Sequence, residues 1–475
     1  MSNRIVARCE SMDKIIIFCN GQYFKYRADV LLNNQERYEI VGIVDNDSKQ
    51  WGRESFGFVV SKPEKDLLMC CDCVVIMSTY YKEIRQQLLD WGVSKEKVLN
   101  YVGFIQRYLQ GLAKYYGIEL WDRRKKNILL VSGALNYNGG TMAAVYTAQV
   151  LIKRGYSVVM ASERCNIRLV KELNDKGICV VAMPGLLAAD TFELNFAKQF
   201  DLIIANTLIA MSAAKRFIEA RPVLWWLHEA SVTYNNELEI LAKENINDKI
   251  HILTVSDIAK RNFEKYYPDR VDGIMNYAIP DIKYTHVDDG KIIIAIVGDV
   301  GNLKGTDIFL QAIDYLHIDE SMVEFWCIGR SDEAFLHRYQ DILERNPNII
   351  FKGMLTREEM QRAWQQIDVA VVASREETMS MVVTEGLINN VVCIMSDAVG
   401  SADYIKDGVN GFIFKSEDVG MLADKMQYVI DSYDSLDGLR DKARSTYDKY
   451  FSMETFETNI VREMLIANKK FMGKM

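Results

Sequence analysis

Residues 368–390 read DVAVVASREETMSMVVTEGLINN, and this stretch decides the fold. DVAVVAS is a short, β-branched apolar run of the length expected for a fully buried strand. A polar loop, SREETM, follows, and the chain then enters a helical pattern that ends near Asn389. If that helix starts near Ser380, the amides from Met379 to Val383 have no partner within it. That end carries partial positive charge, which suits a phosphate. Glu385 lies about five residues along, or roughly 7–8 Å at 1.5 Å per residue. This is about the reach from a diphosphate to the ribose of a nucleotide. Glu377, in the loop, falls beyond the diphosphate, where an attached sugar would lie. The spacing fits a nucleotide-sugar laid along a helix start, and fits equally the solvated carboxylates of a strand end. Glu376 is expected to be solvated.

The same strand–loop–helix alternation recurs along the chain, restarting three times, which indicates α/β architecture with parallel sheets and covering helices. The first segment opens with KIIIFCNGQYFKYRADVLL and continues with YEIVGIVDND, a second strand ending at Asp45. This resembles a dinucleotide-binding half, but its turn holds Gly21 where that fingerprint needs three glycines. An accessory Rossmann-like domain over residues 1–110 is the expectation. Between residues 101 and 126, Phe104, Tyr108, Leu112 and Tyr115 recur at helical spacing before Arg123, Arg124, Lys125 and Lys126. A linker helix over 111–126 is expected, packed between domains; contact with an anionic membrane surface is the other reading.

NILLVSGALNYNGGTMAAVYTAQVLIKRG opens the second segment, with Gly139 and Gly140 at a helix entrance where backbone can approach a ligand closely. The strands DLIIANT, PVLWWLHE and HILTVS follow, with His228 and Glu229 at a strand end. The third segment starts at KIIIAIVGDVGNLKGTDIFLQAIDYL, whose loop carries Lys304 and Gly305 but is not a P-loop. The boundaries expected are 127–285 and 286–450 for two doubly wound domains, and 451–475 for a terminal helix.

Composition narrows the classes. A net charge of −8 and a pI near 5.4 exclude a nucleic-acid binder that relies on bulk positive charge. No apolar run approaches the roughly 20 residues needed to cross a bilayer, and MSNRIVARCESMDK lacks a signal-peptide core. A cytoplasmic location is expected, with peripheral contact at the inner face of a membrane left open. The nine cysteines look reduced, and Cys70, Cys71 and Cys73 read as buried small hydrophobes because no further thiol or histidine pair completes a zinc site. The five histidines show no ligand spacing, so a mechanism without metal or cofactor is expected.

Glu377 and Glu385, with the region ASREETMSMVVTEGLINNVVCIMSDAVGSADYIKDGVNGFIF around them, resemble the signature of the retaining GT-B glycosyltransferases of family 4. LVSG, the Gly139–Gly140 loop, HILTVSD, IMNYAIPD, Lys304–Gly305 and NIIFKGML agree in the same order, over about residues 127–470. The resemblance implies two Rossmann-like domains facing a cleft, preceded here by the accessory domain. It implies that Glu385 binds the ribose and Glu377 the donor sugar. The Ser380 and Met381 amides and Lys304 would hold the diphosphate, Gly140 would approach it from the facing domain, and His228 would lie near the reaction centre. Met379 and Gly353 join the donor-binding set.

The implied reaction is metal-independent transfer, with retention, from a nucleoside-diphosphate-sugar to a glycan or lipid-linked acceptor, in keeping with cell-surface polysaccharide assembly. Two departures stand out. Asp299 occupies a position where many members carry arginine, so Arg330 or Arg375 is expected to assist Lys304. INNVVCI replaces the usual small-Gly-Lys-Pro turn. The alternatives are a catalytically decayed scaffold or nucleotide-sugar-binding protein, a glycosidase using the two carboxylates, and a dehydrogenase using the first segment.

Overall fold

The computed structural model describes residues 12–25, 27–187, 191–231, 245–288, 290–331 and 333–473. The stretch read as lacking a signal core lies mostly outside them. Two compact units form: one takes residues up to Trp121 with Val131–Asn136 and Val159–Gln199, and the other takes the remainder.

In the larger unit, β-branched runs make a six-stranded, fully parallel sheet. Its spatial order is Ile349–Gly353, Val323–Ile328, Ile292–Val297, Val369–Val372, Val392–Ser396, Phe412–Phe414. In chain order this is third, second, first, fourth, fifth, sixth, the doubly wound Rossmann arrangement. One face buries Ile294, Ile296, Val369, Val371, Val392 and Ile394 in a single core with Phe309 and Met426. The order reverses between Ile292–Val297 and Val369–Val372. Ligands of open α/β sheets bind at such a reversal, beyond the strand C-termini. The loops parting there are 298–305 and 373–380.

The same unit holds four parallel strands, Leu202–Asn206, Val223–Leu227, His251–Thr254 and Gly273–Ile274. Helix Gly139–Lys153 begins beside them, capped by the Asn138 side chain on the Thr141 amide at 2.9 Å. Helix Met453–Phe471 packs back onto this part of the chain. Phe456 stacks on the buried Trp226 at 5.7 Å between ring centroids, and Glu457 pairs with Lys153 and Arg154. Further along, His251 places one ring nitrogen 2.8 Å from Glu463 and the other 3.4 Å from Asp272, which Lys470 also holds at 2.6 Å.

The smaller unit contains a sheet ordered Glu54–Ser55, Phe58–Ser61, Tyr38–Val44, Asp13–Phe18, Cys73–Ile76, Val98–Asn100. All its pairings are parallel except that of the first two strands. Ile15 and Ile17 face one core, Ile16 and Phe18 the other, so both faces are covered as the strand alternation requires. Cys71 and Cys73 are buried as expected, but Cys70 faces solvent.

The expected linker helix over 111–126 does not form. A helical segment, Tyr101–Phe104 continuing as a π-turn to Leu109, ends before Gly111, whose φ of 78° is left-handed; Gly117 is left-handed again. Between them Lys114–Tyr116 is a strand, antiparallel to Cys179–Ala182. Phe104, Tyr108 and Leu112 pack into the core of the accessory sheet with Tyr38. These three side chains are therefore spent inside the protein, and only Tyr115 of the stripe is exposed. Among the described residues no helix is long and apolar enough to cross a membrane.

The His251 clamp is titratable. Burial opposes its protonation, but Asp272 and Glu463 outweigh that and raise its pKa above the usual histidine value. Its stabilisation is full below the unfolded-state value of about 6.5 and is lost as pH rises through the raised folded value. His251→Leu is expected to cost about 2–3 kcal/mol, less than the 3–5 of an isolated buried pair, because Arg462 and Lys470 still neutralise the carboxylates. Denaturation midpoints at acid and alkaline pH measure this; an equal loss at both would remove the protonated clamp.

Candidate active site

Both loops at the strand-order reversal are shaped by their sequence. After Val297, Gly298 has φ 138°, and the Lys304 side chain lies over it, its carbons 3.5 Å from where a Cβ would stand. Gly305 has φ 71°, and a Cβ there would lie 1.9 Å from the Ala373 carbonyl oxygen. Only glycine permits that approach. Lys304 is thereby carried on the turn Asn302–Lys304 to the facing loop, where its ammonium lies 3.0 Å from Glu377 Oε2. Ser374 Oγ donates to the same oxygen at 2.7 Å. Glu377 Oε1 has no protein partner among the described residues. The pair spans the reversal point, where the topology places a ligand.

Helix Met381–Ile388 starts one residue on, with Ser380 as its N-cap accepting from the Val383 amide at 3.4 Å, and ends at Asn389. The Ser380 amide is committed: it donates to Ser401 Oγ at 3.0 Å. The open amides of the turn are therefore Met381 and Val382. Opposite them, Gly139 begins the other helix, and a Cβ on it would lie 3.7 Å from Met381 Sδ. Two helix N-termini thus approach each other, one of them four residues along the chain from the Glu377 that Lys304 holds, a preorganised setting for an anion. Gly140 lies deeper, its carbonyl accepting from Asn206 Nδ2 at 3.1 Å.

Further along the helix, Glu385 accepts from Trp364 Nε1 at 3.2 Å, and burial pushes its carboxyl up to about 7. Gly353, with φ 68°, ends its strand and accepts from the Gly329 amide at 2.9 Å. Among the described residues, nothing lies within 4 Å of where a Cβ on Gly353 would stand.

Residues 376–379 join the two halves of the larger unit. Glu376 is not solvated: its carboxylate accepts from the Ser231 amide at 2.8 Å, the Ser231 hydroxyl, and Asn262 Nδ2 at 2.6 Å. Burial opposes its ionisation, yet these donors hold the carboxyl below its usual range. Thr378 Oγ1 donates to the His228 carbonyl at 2.6 Å, and Tyr277 OH to the Met379 carbonyl at 3.0 Å. Along the loop, side chains thus alternate: 376 and 378 reach Ser231, Asn262 and the His228 carbonyl, and 377 turns to Lys304.

His228 is held between the rings of Trp226 (4.4 Å) and Tyr277 (6.4 Å). Burial drops its pKa to about 3, so the imidazole is neutral, and Nε2 has no partner among the described residues. Glu229 holds it from behind, accepting from the His228 amide at 2.9 Å and the Leu208 amide at 2.6 Å; burial raises Glu229 to about 7. Thr207 precedes Leu208 with φ 74°. A left-handed β-branched residue of this kind costs about 1–3 kcal/mol and is found where function sets the backbone.

Both expected helpers of Lys304 are paired with other carboxylates. Arg330 pairs with Asp299 at 2.9 Å, each more than half exposed, so the acid that departs from the family pattern is neutralised locally. Arg375 forks onto Asp307 (2.8 and 2.7 Å) and Glu417 (2.5 and 2.9 Å) and donates to the Asn302 carbonyl. Its effect on Lys304 is to hold the turn that carries it. In the INNVVCI turn Asn390 takes φ 60°, the conformation a glycine would supply.

Comparison with known proteins accords with this geometry. Residues 291–432 match the profile described as glycosyl transferases group 1, and residues 124–270 that of glycosyl-transferase family 4. The chain resembles glycosyltransferases through these two successive profiles, each covering about 30% of it. The preceding domain matches, over residues 11–99, a profile described as C2185-like, N-terminal.

Among curated relatives, the sulfoquinovosyl transferase SQD2 of Arabidopsis thaliana is 25% identical over 172 residues, covering 36% of the chain and 32% of the relative. The chain thus spans about a third of that relative's length. Among solved structures, Anabaena Alr3699/HepE in complex with UDP-glucose superposes with a TM-score of 0.61 at 16% identity, covering 72% of this chain and 99% of that one. Sucrose-phosphate synthase from Thermosynechococcus elongatus gives 0.59 at 15%, covering 72% and 100%. These likenesses are of fold, and the fold is GT-B.

Glu376→Ala leaves the Ser231 and Asn262 donors unpaired. A loss of about 1–3 kcal/mol is expected, with faster hydrogen exchange in residues 228–231 and 257–264. Unchanged exchange there would remove its bridging role.

Proposed function

We propose that this protein transfers a sugar from a nucleoside-diphosphate-sugar to a glycan or lipid-linked acceptor, with retention of configuration and without a metal. The observation that carries this reading is the Lys304–Glu377 pair at 3.0 Å across the strand-order reversal, together with two helix N-termini that approach each other. A diphosphate would take the Met381 and Val382 amides and the Lys304 ammonium. Glu385 would accept from ribose hydroxyls, and Glu377 Oε1 from the transferred sugar. A uridine nucleotide is the first donor to test, because a structural neighbour is in complex with UDP-glucose.

In the reaction, the bond from the anomeric carbon to the β-phosphate oxygen breaks, and one from that carbon to an acceptor oxygen forms. Charge grows on the departing diphosphate, where Lys304 and fixed amides stabilise it in place of a metal. The acceptor attacks from the face the diphosphate leaves, and its proton passes to a departing phosphate oxygen. His228 is too weak a base to take that proton; its neutral ring offers Nε2 as a hydrogen-bonding group beside the sugar. The glycosidase alternative places two carboxyls on either side of a scissile bond, an arrangement at odds with Glu377 paired to a lysine and Glu385 deep along the helix.

Lys304→Ala is expected to lower kcat by about 10²–10³-fold, the range for removing one preorganised charge-stabilising group. Unchanged turnover would overturn its role. Activity is expected to persist in excess chelator, and anomer-resolved NMR of the product is expected to show the donor configuration.

Glu385 gives a pH signature. Hydroxyl donors favour its carboxylate, so donor binding should release a proton and tighten about ten-fold from roughly pH 6 to pH 8 around the value of about 7. Calorimetric titration with UDP-sugar checks this, and Glu385→Gln should flatten the dependence.

A further inference from the structure

We propose that the N-terminal accessory domain holds a second ligand site, selective for a neutral carbohydrate ring. A cavity of about 730 Å³ opens at the C-termini of strands Asp13–Phe18, Tyr38–Val44 and Cys73–Ile76. Strand order in this sheet reverses between the first and the last of these, so the cavity sits where open α/β sheets take their ligands.

Its chemistry differs from that of a nucleotide site. In the fingerprint G-x-G-x-x-G the chain reads Cys19, Asn20, Gly21, Gln22, Tyr23, Phe24. Cys19 adopts φ 85°, the left-handed conformation the first glycine would supply, while keeping a side chain on the cavity wall. Phe24, in the third position, is fully buried, so the helix cannot draw in as a dinucleotide requires. Asp45, which ends the second strand as a ribose-binding acid would, is already used: its oxygens accept from the Asn20 amide at 2.6 Å and the Asp47 amide at 2.8 Å. Among the described residues no lysine or arginine lines the cavity, whereas Asp45, Asp47 and Glu83 do. That lining repels a diphosphate.

What remains suits hydroxyl groups, each of which both donates and accepts. Asn46 and Gln87 pair their amides reciprocally at 2.8 and 3.1 Å on the exposed rim, leaving further donor and acceptor positions outward. Thr79 lines the wall beside them, and Glu83 has no hydrogen bond or ion pair among the described residues. Tyr80 is 68% exposed at the mouth, presenting a ring face to the C–H groups of a sugar. The site is separate in composition from the Lys304 crevice and does not depend on the transfer reaction proposed above.

The test uses the full chain with a panel of methyl glycosides of neutral hexoses and N-acetylhexosamines, read by saturation-transfer NMR and calorimetry, with and without saturating UDP. At least one glycoside is expected to bind in the presence of UDP and to slow hydrogen exchange in residues 19–23, 45–50 and 77–87. The surface double variant Tyr80→Ala, Gln87→Ala should weaken it by at least about ten-fold, equivalent to 1.4 kcal/mol. Four outcomes would overturn the proposal: no glycoside binding, binding abolished by UDP, binding unchanged in the variant, or protection of those segments by NAD or UDP instead. Exchange mapping on the unmodified protein decides the matter if the variant misfolds.

Discussion

The contact between Lys304 and Glu377 is the one on which the rest of the larger unit depends. It requires two loops from opposite sides of a strand-order reversal to meet, and the backbone is shaped to allow it. Gly298 lets the lysine stem lie flat, Gly305 brings its loop against Ala373, and Arg375 fastens the turn from outside through Asp307 and Glu417. The charge that meets Glu377 is thus a lysine set on a rigid support, while Arg330 and Arg375 are paired with other carboxylates. Positive potential in the site comes from Lys304 and two helix ends, with Arg357 acting on Glu385 further along, rather than from a basic patch, consistent with a chain of net charge −8.

A second constraint acts at right angles to the first. Because side chains alternate along 376–378, a loop that turns Glu377 toward its own domain must turn Glu376 and Thr378 the other way. There they meet Ser231, Asn262 and the carbonyl of His228. The residue that binds the lysine and the residues that fix the facing domain are therefore set by one backbone register. Moving the register by one position would break both contacts together.

Much of this was legible in the sequence, because the governing terms are local. Continuous β-branched runs mark strands buried on both faces, and Ser380 followed by an apolar run marks a helix start; both appear where the pattern puts them. The misreadings concern partners that local pattern cannot supply. Glu376 read as solvated because Ser231 and Asn262 lie more than a hundred residues away. Arg330 and Arg375 read as helpers of Lys304 because the carboxylates that hold them, Asp299, Asp307 and Glu417, are brought to them only by the fold. The helix expected over 111–126 is a different kind of miss. Aromatic spacing outweighed Gly111 and Gly117, whose left-handed backbone ends the helix and frees Lys114–Tyr116 to pair as a strand. Thr207 carried no sequence signal, since strain at a β-branched residue is invisible until its neighbours are placed.

The returning helix Met453–Phe471 has a consequence for the order in which the protein can be made. Trp226, fully buried, is covered by Phe456, and His251 is closed by Glu463. During synthesis from the N-terminus, the four strands between Leu202 and Ile274 leave the ribosome long before the segment that completes them. Their apolar flank must wait, exposed, while about two hundred further residues are made and the intervening Rossmann sheet folds. The finished unit is sealed late, by a piece of chain that follows the Rossmann sheet in sequence, which ties the completion of the four-stranded part to that of the sheet made after it.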